Sequence, residues 1–489
     1  MTISFNTIPS NLRVPLAYVE FDNTRAVVGT PDYPYKLLVL GQKLATGIAA
    51  ADTPVQVTSA DQAEVLFGRG SMLANMFTVL KANNRWTETW AIPQDDDGVG
   101  GVAASGTITL GGEPTAAGVL NLYIGGKRVR IAVASGEASA TTATALAAAI
   151  NADTSLPVTA AANLAVVTVT ARNKGECGND IDLRVNYYQG ETLPTGLTCT
   201  IVDMADGAGN PDITEAIAAM GDEWYTGIVT PYTDSANLTL LEAELADRWS
   251  GVRQIDGIAF AAFRGTHGET TTFSDGRNSP HVSCMATGIS PTPPFLWAAA
   301  YAAQAAASLT NDPARPLQTL ALTGILPPAS DVRFTQEERN LLLYDGAATH
   351  YVDAGGLVRI ERAITMYQVN AYGIEDPSYL DVTTPATLSY IRYAVRARIT
   401  QKFPRHKLAD DGTNYGEGQA IVTPKTIREE LIALFRELER AGLVENLEQF
   451  KTDLIVERNA DDRNRVDVLA PPDLVNQLRI FAAQVQFIL

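Results

Sequence analysis

The chain has 489 residues, 46% hydrophobic and 19% charged, with a formal net charge of −18. That length exceeds one ordinary core and predicts two to four domains. The acidic balance excludes nucleic acid as the main partner, because phosphate recognition needs a basic surface.

Three cysteines, Cys177, Cys199 and Cys284, lie far apart with no CxxC spacing, so neither a disulfide framework nor a zinc site is expected. No basic stretch followed by an apolar run opens the chain, so no signal peptide is expected. The most apolar run, Pro294 to Leu309, is Ala-rich and interrupted by Gln304. A bilayer-spanning helix needs ~20 apolar residues. This run reads instead as a buried helix, with no membrane insertion.

Residues 1–24 read as an extended arm. Pro9 and Pro15 forbid a continuous helix, and Ile3, Phe5, Ile8, Leu12, Val14, Leu16 and Val19 are too apolar for a solvated tail. Such an arm should pair with its own sheet or a neighbour's. Residues 25–97 read as the first part of an α/β core. Lys36 to Gly41 and Trp90 to Ile92 are strands, Ser59 to Gln62 is a capping box, and Met72 to Asn83 is an amphipathic helix.

Asp95 to Gly101 is a linker by composition. It cannot be an EF-hand loop, since Pro93 and Ala104 would fall on ligand positions. Residues 98–205 then alternate with a period of two and carry one Ala-rich helix, Thr141 to Asn151, which predicts an inserted β-rich domain.

Residues 206–375 return to alternating strand and helix, the pattern of a sheet with helical crossovers. Strands are expected at Gly227 to Thr230, Gly257 to Phe263 and His281 to Ala286, with helices at Leu238 to Trp249 and Pro294 to Leu309. Thr335 to Glu338 is a capping box, so a short helix starts at Gln336 and ends at Gly346. Thr349 to Val352 and Leu357 to Tyr367 form a hairpin across Gly355-Gly356.

Residues 376–489 read as a smaller C-terminal domain. Thr387 to Phe403 is a helix with Leu388, Ile391, Val395 and Ile399 inward. A second helix has Thr423 as cap, Pro424 at its first position and Gly442 at its end. Ile455 to Asn459 and Arg465 to Leu469 are strands. Arg479 to Leu489 alternates, with Phe481, Val485, Phe487 and Leu489 on one face, and reads as a strand with no partner after it. Between Leu388 and Lys407 lie Arg392, Arg396, Arg398, Lys402, Arg405 and Lys407 without one carboxylate, a basic face suited to an acidic partner. The fold class is therefore mixed α/β and α+β, multidomain, with extended terminal arms.

Catalytic motifs fail on their own spacing. Lys127 follows Gly125-Gly126, but Asn121 stands where a phosphate loop needs its first glycine and Arg128 where it needs Ser or Thr. There is no GxGxxG after a strand and no GxSxG elbow. The four histidines show no metal-binding pair. No cofactor, metal or catalytic residue is expected, although groups distant in sequence can still converge.

The order Pro327-Pro328, capped helix, Gly346, strand, Gly-Gly turn and strand ending Arg362-Ala-Ile-Thr365 resembles the core of contractile phage tail sheath proteins, the Mu-like branch above all. The opening Met1-Thr-Ile-Ser-Phe5 to Pro15 is similar to a Mu-type start. The resemblance runs over most of the chain and is weakest between about residues 98 and 205. It implies a helical homopolymer around a tail tube, ending at baseplate and tail terminator proteins, that contracts to drive the tube through a bacterial envelope. It also implies exchange of the terminal arms between subunits, through Ile3, Phe5, Ile8, Phe481, Val485, Phe487 and Leu489. The basic cluster Arg392, Arg396, Arg398 and Lys402 is expected to face the tube. Location would be the virion, with assembly in the host cytoplasm. Two other classes stay open: an α/β hydrolase-type enzyme, and a surface adhesin whose β-rich insert binds carbohydrate.

Overall fold

Strand β1 (Lys36–Gln42) reads Leu-Leu-Val-Leu without alternation and is buried from Leu37 onward, as a strand covered on both faces must be. The computed structural model describes residues 14–15, 17–20, 33–416 and 418–488. After β1 come β2 (Val55–Gln56), α1 (Ala60–Phe67), α2 (Met72–Asn83) and β3 (Glu88–Gln94). Ser59 caps α1 by accepting from Gln62 N; Gln62 Oε1 in turn accepts from Thr58 N, one residue earlier than in a standard capping box.

Next follow β4 (Ser105–Gly111), β5 (Gly118–Ile124), β6 (Lys127–Val133), α3 (Ser139–Ala152), β7 (Val158–Asn163), β8 (Val166–Ala171), β9 (Leu183–Val185) and β10 (Thr198–Ala205). They make two antiparallel sheets, ordered β10-β4-β8-β7 and β6-β5-β9. A separate apolar core containing Ile108, Leu122, Leu146, Ile150 and Val169 lies among the sheets and α3. Gly125 and Gly126 both have positive φ, 54° and 83°, the geometry a two-residue hairpin turn requires.

The chain then gives α4 (Thr214–Met220), β11 (Gly227–Val229), α5 (Ser235–Arg248), β12 (Ile258–Arg264), α6 (His267–Asp275), β13 (Val282–Gly288), α7 (Pro294–Asn311), α8 (Gln336–Tyr344), β14 (Thr349–Val352) and β15 (Val358–Arg362). The main sheet is ordered β13-β12-β11-β1-β3-β2. All its neighbours are parallel except β2, which runs antiparallel to β3. Helix α7 is buried along nearly its whole length, and its small alanines let it lie close against the sheet. Tyr301 from α7 meets Phe260 edge-on at 5.0 Å and shares a 2.7 Å hydrogen bond with Ser283.

Two details depart from the sequence expectation. Helix α6 was not anticipated, although Thr266 and Glu269 form a full capping box. Strand β15 stops at Arg362 rather than Tyr367, because the chain turns aside: Thr365 N bonds Leu380 O and Met366 N bonds Val282 O.

The β-rich segment is fastened to the core, not tethered by loose linkers. Asp96 accepts from Gln42 Nε2 at 2.7 Å, Asn173 Nδ2 at 2.9 Å and Lys174 N at 3.0 Å. Asn173 also caps α2 through Met72 N and donates to Lys43 O. Lys127 reaches Asn75, Tyr187 reaches Pro327 O, and Arg264 reaches Asp182. These contacts sit at the C-terminal ends of the parallel strands.

The last part contains α9 (Thr383–Lys402), β16 (Lys407–Leu408), β17 (Ile421–Val422), α10 (Pro424–Arg440), β18 (Val444–Glu445), α11 (Leu447–Asp453), β19 (Ile455–Arg458), β20 (Val466–Leu469) and β21 (Asp473–Leu474). Helix α10 buries Ile427, Leu431, Leu434, Phe435 and Leu438, the stripe read from the sequence. Phe435 stacks on Phe450 of α11 at 3.9 Å. Residues Ile391–Arg440 and Asn446–Pro472 belong to a smaller compact unit, whereas Pro34–Tyr390, Ala441–Glu445 and Asp473–Leu489 belong to the larger one. This change of unit falls inside α9. The C-terminal segment returns to the larger unit because β21 pairs with β18.

Desolvation pushes the Asp180 carboxyl, at the junction with the β-rich segment, up to about 6, with Arg264 partly opposing it. The folded state thus holds this proton more tightly than the unfolded state, and stability falls as pH rises from about 4 to about 6. Asp180→Asn is expected to be more stable than the parent by about 1–3 kcal/mol at pH 7.5, with the difference vanishing below pH ~4. Denaturant melts across that range check the direction and the window.

Candidate inter-subunit surfaces

Segment 473–479 is pinned to the larger unit. After the β21–β18 ladder, Val475 N bonds Leu443 O. Gln477 Nε2 donates to Ala314 O at 2.6 Å and to Thr383 Oγ1. Arg479 Nη2 donates to Asp381 Oδ1 at 2.9 Å, and Arg362 holds the same carboxylate through both oxygens at 3.1 Å. Burial lowers the Arg479 pKa, the Asp381 charge opposes this, and the nearby Arg362 adds to it. Arg479 Nε and Nη1 are buried without a hydrogen-bond partner. An unpaired buried donor costs stability, so Arg479 is a weak clasp, and Asp381 keeps Arg362 if it opens.

Beyond Arg479 nothing holds the described chain. Residues 480–488 belong to no helix or ladder and are exposed throughout. Phe481 and Val485 are each 85% exposed and Phe487 is 80% exposed. The strand expected over Arg479–Leu489 is therefore not formed within the subunit, although its alternation persists. Leu489 lies outside the described residues, as do Ile3, Phe5 and Ile8 at the other terminus. Of the N-terminal arm, Val14, Tyr18 and Val19 are described, and all three are exposed.

The basic helix differs from its sequence reading. Leu388, Ile391, Val395 and Ile399 are only half-buried. The deepest positions are Thr387, Ser389, Ala394 and Arg398. Arg398, with 8% of its side chain exposed, pairs with Glu437 and lies 3.7 Å from Glu430. Lys402 Nζ sits 2.6 Å from Glu430. Carboxylates of α10 thus neutralise a run that has none of its own. Arg398 is a buried clamp between helices rather than a free surface cation. Arg396 and Lys402 are exposed and Arg392 is half-buried. The sequence signal for this pairing was available in Glu430 and Glu437, one helical repeat apart on α10.

Among the described residues, no cluster of three or more His, Cys, Asp or Glu side chains could hold a metal. No described helix is long and apolar enough to cross a membrane.

Comparison with known proteins matches three family models in tandem. They are the phage tail sheath protein beta-sandwich domain at residues 99–198, the central domain at 206–366 and the C-terminal domain at 375–488. The chain belongs to the phage tail sheath family, and it is a structural subunit of a contractile tail sheath. Within that family it is 53% identical, over the full length of both chains, to the Mu-like prophage FluMu tail sheath protein of Haemophilus influenzae. A sheath tail protein from Desulfitobacterium hafniense shares the fold at 12% identity, with a TM-score of 0.50 over 95% of this chain and 97% of that one. One from Listeria innocua aligns at 12% identity and a TM-score of 0.49, over 93% and 96% of the respective chains.

Replacing Arg398 by Ala is expected to destabilise the protein by about 1–3 kcal/mol, because it removes the buried cation that joins α9 to Glu437 and Glu430 of α10 and leaves a cavity in its place. Arg396→Ala should cost no more than about 0.5 kcal/mol, as for other exposed substitutions. Urea titration of the two variants separates clamp from surface.

Proposed function

We propose that copies of this chain link through both termini, each subunit giving its arms to neighbours so that the lattice stays joined while other contacts slide. The observation that carries this is the tail: an apolar, alternating segment, clasped at Arg479 and left without a ladder from residue 480 onward. Unpaired strand groups and exposed aromatic side chains are a template for pairing with another chain. Ile3, Phe5 and Ile8 of the N-terminal arm would contribute the matching apolar set. Contacts of this kind are heterologous and open, so they propagate a helix.

The tube-facing surface is proposed on the basic stretch of α9 and the residues after it. Arg392, Arg396 and Lys402 would meet the tube, while Arg398 holds α9 against α10 behind them. Exposed pairs are each worth only ~0.2–1 kcal/mol, but a lattice repeats them, and they do not interlock against sliding. The remaining partners would be baseplate and tail terminator proteins at the two ends of the polymer. Assembly would take place in the host cytoplasm before the sheath becomes part of the virion.

Negative-stain microscopy of the overexpressed protein should show hollow tubes. Deleting Gln484 to Leu489 should leave the melting curve of the subunit unchanged and abolish the tubes. Tubes from the truncated chain would assign the tail to some other role. Reversing Arg396 and Lys402 to Glu should leave self-assembled tubes intact but prevent extended tails from forming on the inner tube. Normal extended tails from that double variant would remove the basic face from the tube contact.

A further inference from the structure

Two cations at the C-terminal end of α2 meet no carboxylate among the described residues. Lys81, in the last turn, is only 7% exposed. Its Nζ donates to Thr89 Oγ1 at 2.6 Å, and that hydroxyl spends its own hydrogen on Val57 O. The ammonium therefore has one neutral acceptor. Its other two hydrogens have none among the described residues. Arg85, just beyond the helix, is exposed and makes no ion pair or hydrogen bond among them.

Burying an ammonium without a counter-charge is costly, and burial lowers the Lys81 pKa accordingly. The dipole of α2 favours a cation at this end, yet a dipole accepts neither of the two remaining hydrogens. Both cations line a cleft of about 380 Å³, open to solvent, whose facing wall is the first turn of α1. There Ser59 accepts from Gln62 N, while the amides of Ala60 and Asp61 bond nothing among the described residues. Asp61 is the one carboxylate among the lining residues described; it is exposed and pairs with neither cation.

We propose that this cleft binds an oxyanion, a carboxylate or an inorganic phosphate, held by Lys81 and Arg85. Lys81 supplies a buried point charge and Arg85 a planar fork at the surface. The start of α1 adds a field of the same sign. A water takes about 30 Å³, so the cleft has room for a hydrated phosphate or for the end of an Asp or Glu side chain. Two sources offer this chemistry. One is a dissolved anion. The other is an acidic side chain of a second copy, since the chain carries 55 Asp and Glu against 37 Lys and Arg and belongs to a sheath.

Calorimetric titration of inorganic phosphate into dispersed full-length subunits, with chloride at equal ionic strength as the blank, is expected to show saturable binding with a Kd on the order of 1 mM. Lys81→Met keeps the length of the side chain without its charge and should abolish the binding. Arg85→Gln, at an exposed position, should weaken it about tenfold. No saturable binding by the parent, or binding that survives in Lys81→Met, overturns the site. If Lys81→Met fails to fold, Arg85→Gln decides, an unchanged Kd overturning it. Tube formation separates the two sources. If the occupant is a neighbour's carboxylate, phosphate competes with it, and the parent needs roughly fivefold more protein to form tubes than in chloride. If the occupant is a dissolved anion, the threshold is the same in both salts. Binding by subunits that never assemble leaves the site standing and removes only the second copy as its source.

Discussion

A parallel sheet has to be covered on both faces, and that requirement organises the larger unit. Strand β1 is apolar on both sides and buried throughout its middle. Antiparallel neighbours could be reached by short turns, but parallel ones demand crossovers, and those crossovers supply the helices that cover the faces. Helix α7 illustrates the cost: an 18-residue helix in which all but a few side chains are buried, leaving it almost no outward surface. With both faces occupied, only the ends of the strands remain for other uses. The β-rich segment takes one end, through a hydrogen-bonded seam centred on Asp96 and Asn173. The other end is where the chain enters β1 and where Trp86, Val252 and Tyr372 stand exposed.

Much of this was legible because its causes are local. Thr335 and Glu338 specify the start of α8 through bonds made within one turn, and the structure shows both. The stripe of α10 is legible for the same reason, since a 3.6-residue period needs no knowledge of the partner. Helix α6 shows that a local signal can still be passed over: its Thr266–Glu269 box is as complete as that of α8, but the apolar stripe that usually draws attention is weak, with only Thr270 and Ser274 buried.

What was not legible depends on residues far apart in sequence. The cations of α9 look unopposed when read in a window around themselves. Arg398 is in fact buried against Glu437, 39 positions on, and the exposed Lys402 pairs with Glu430, 28 positions on. Ile391, Val395 and Ile399 are only half-buried on the same helix. Residues 376–390 and 473–489 were assigned to the small domain on the strength of a composition shift. The two-residue ladder between β18 and β21, and the bonds of Gln477 and Arg479, connect the second of these segments to residues far off in the sequence, which no composition shift can show.

The terminal segment brings these constraints together. Its alternation reads as a strand pattern, yet among the described residues the segment forms no ladder. Its root, by contrast, is fixed at two points, and one of them is a clasp that shares its carboxylate. Asp381 holds Arg362 through two bonds and Arg479 through one, while two further nitrogens of Arg479 are buried and unpaired. Opening the clasp forfeits one charge-assisted bond, returns two donors to water and leaves Asp381 still paired. Under the proposed exchange of arms, the stiffness of the joint sits in the sheet and its compliance at the root of the arm.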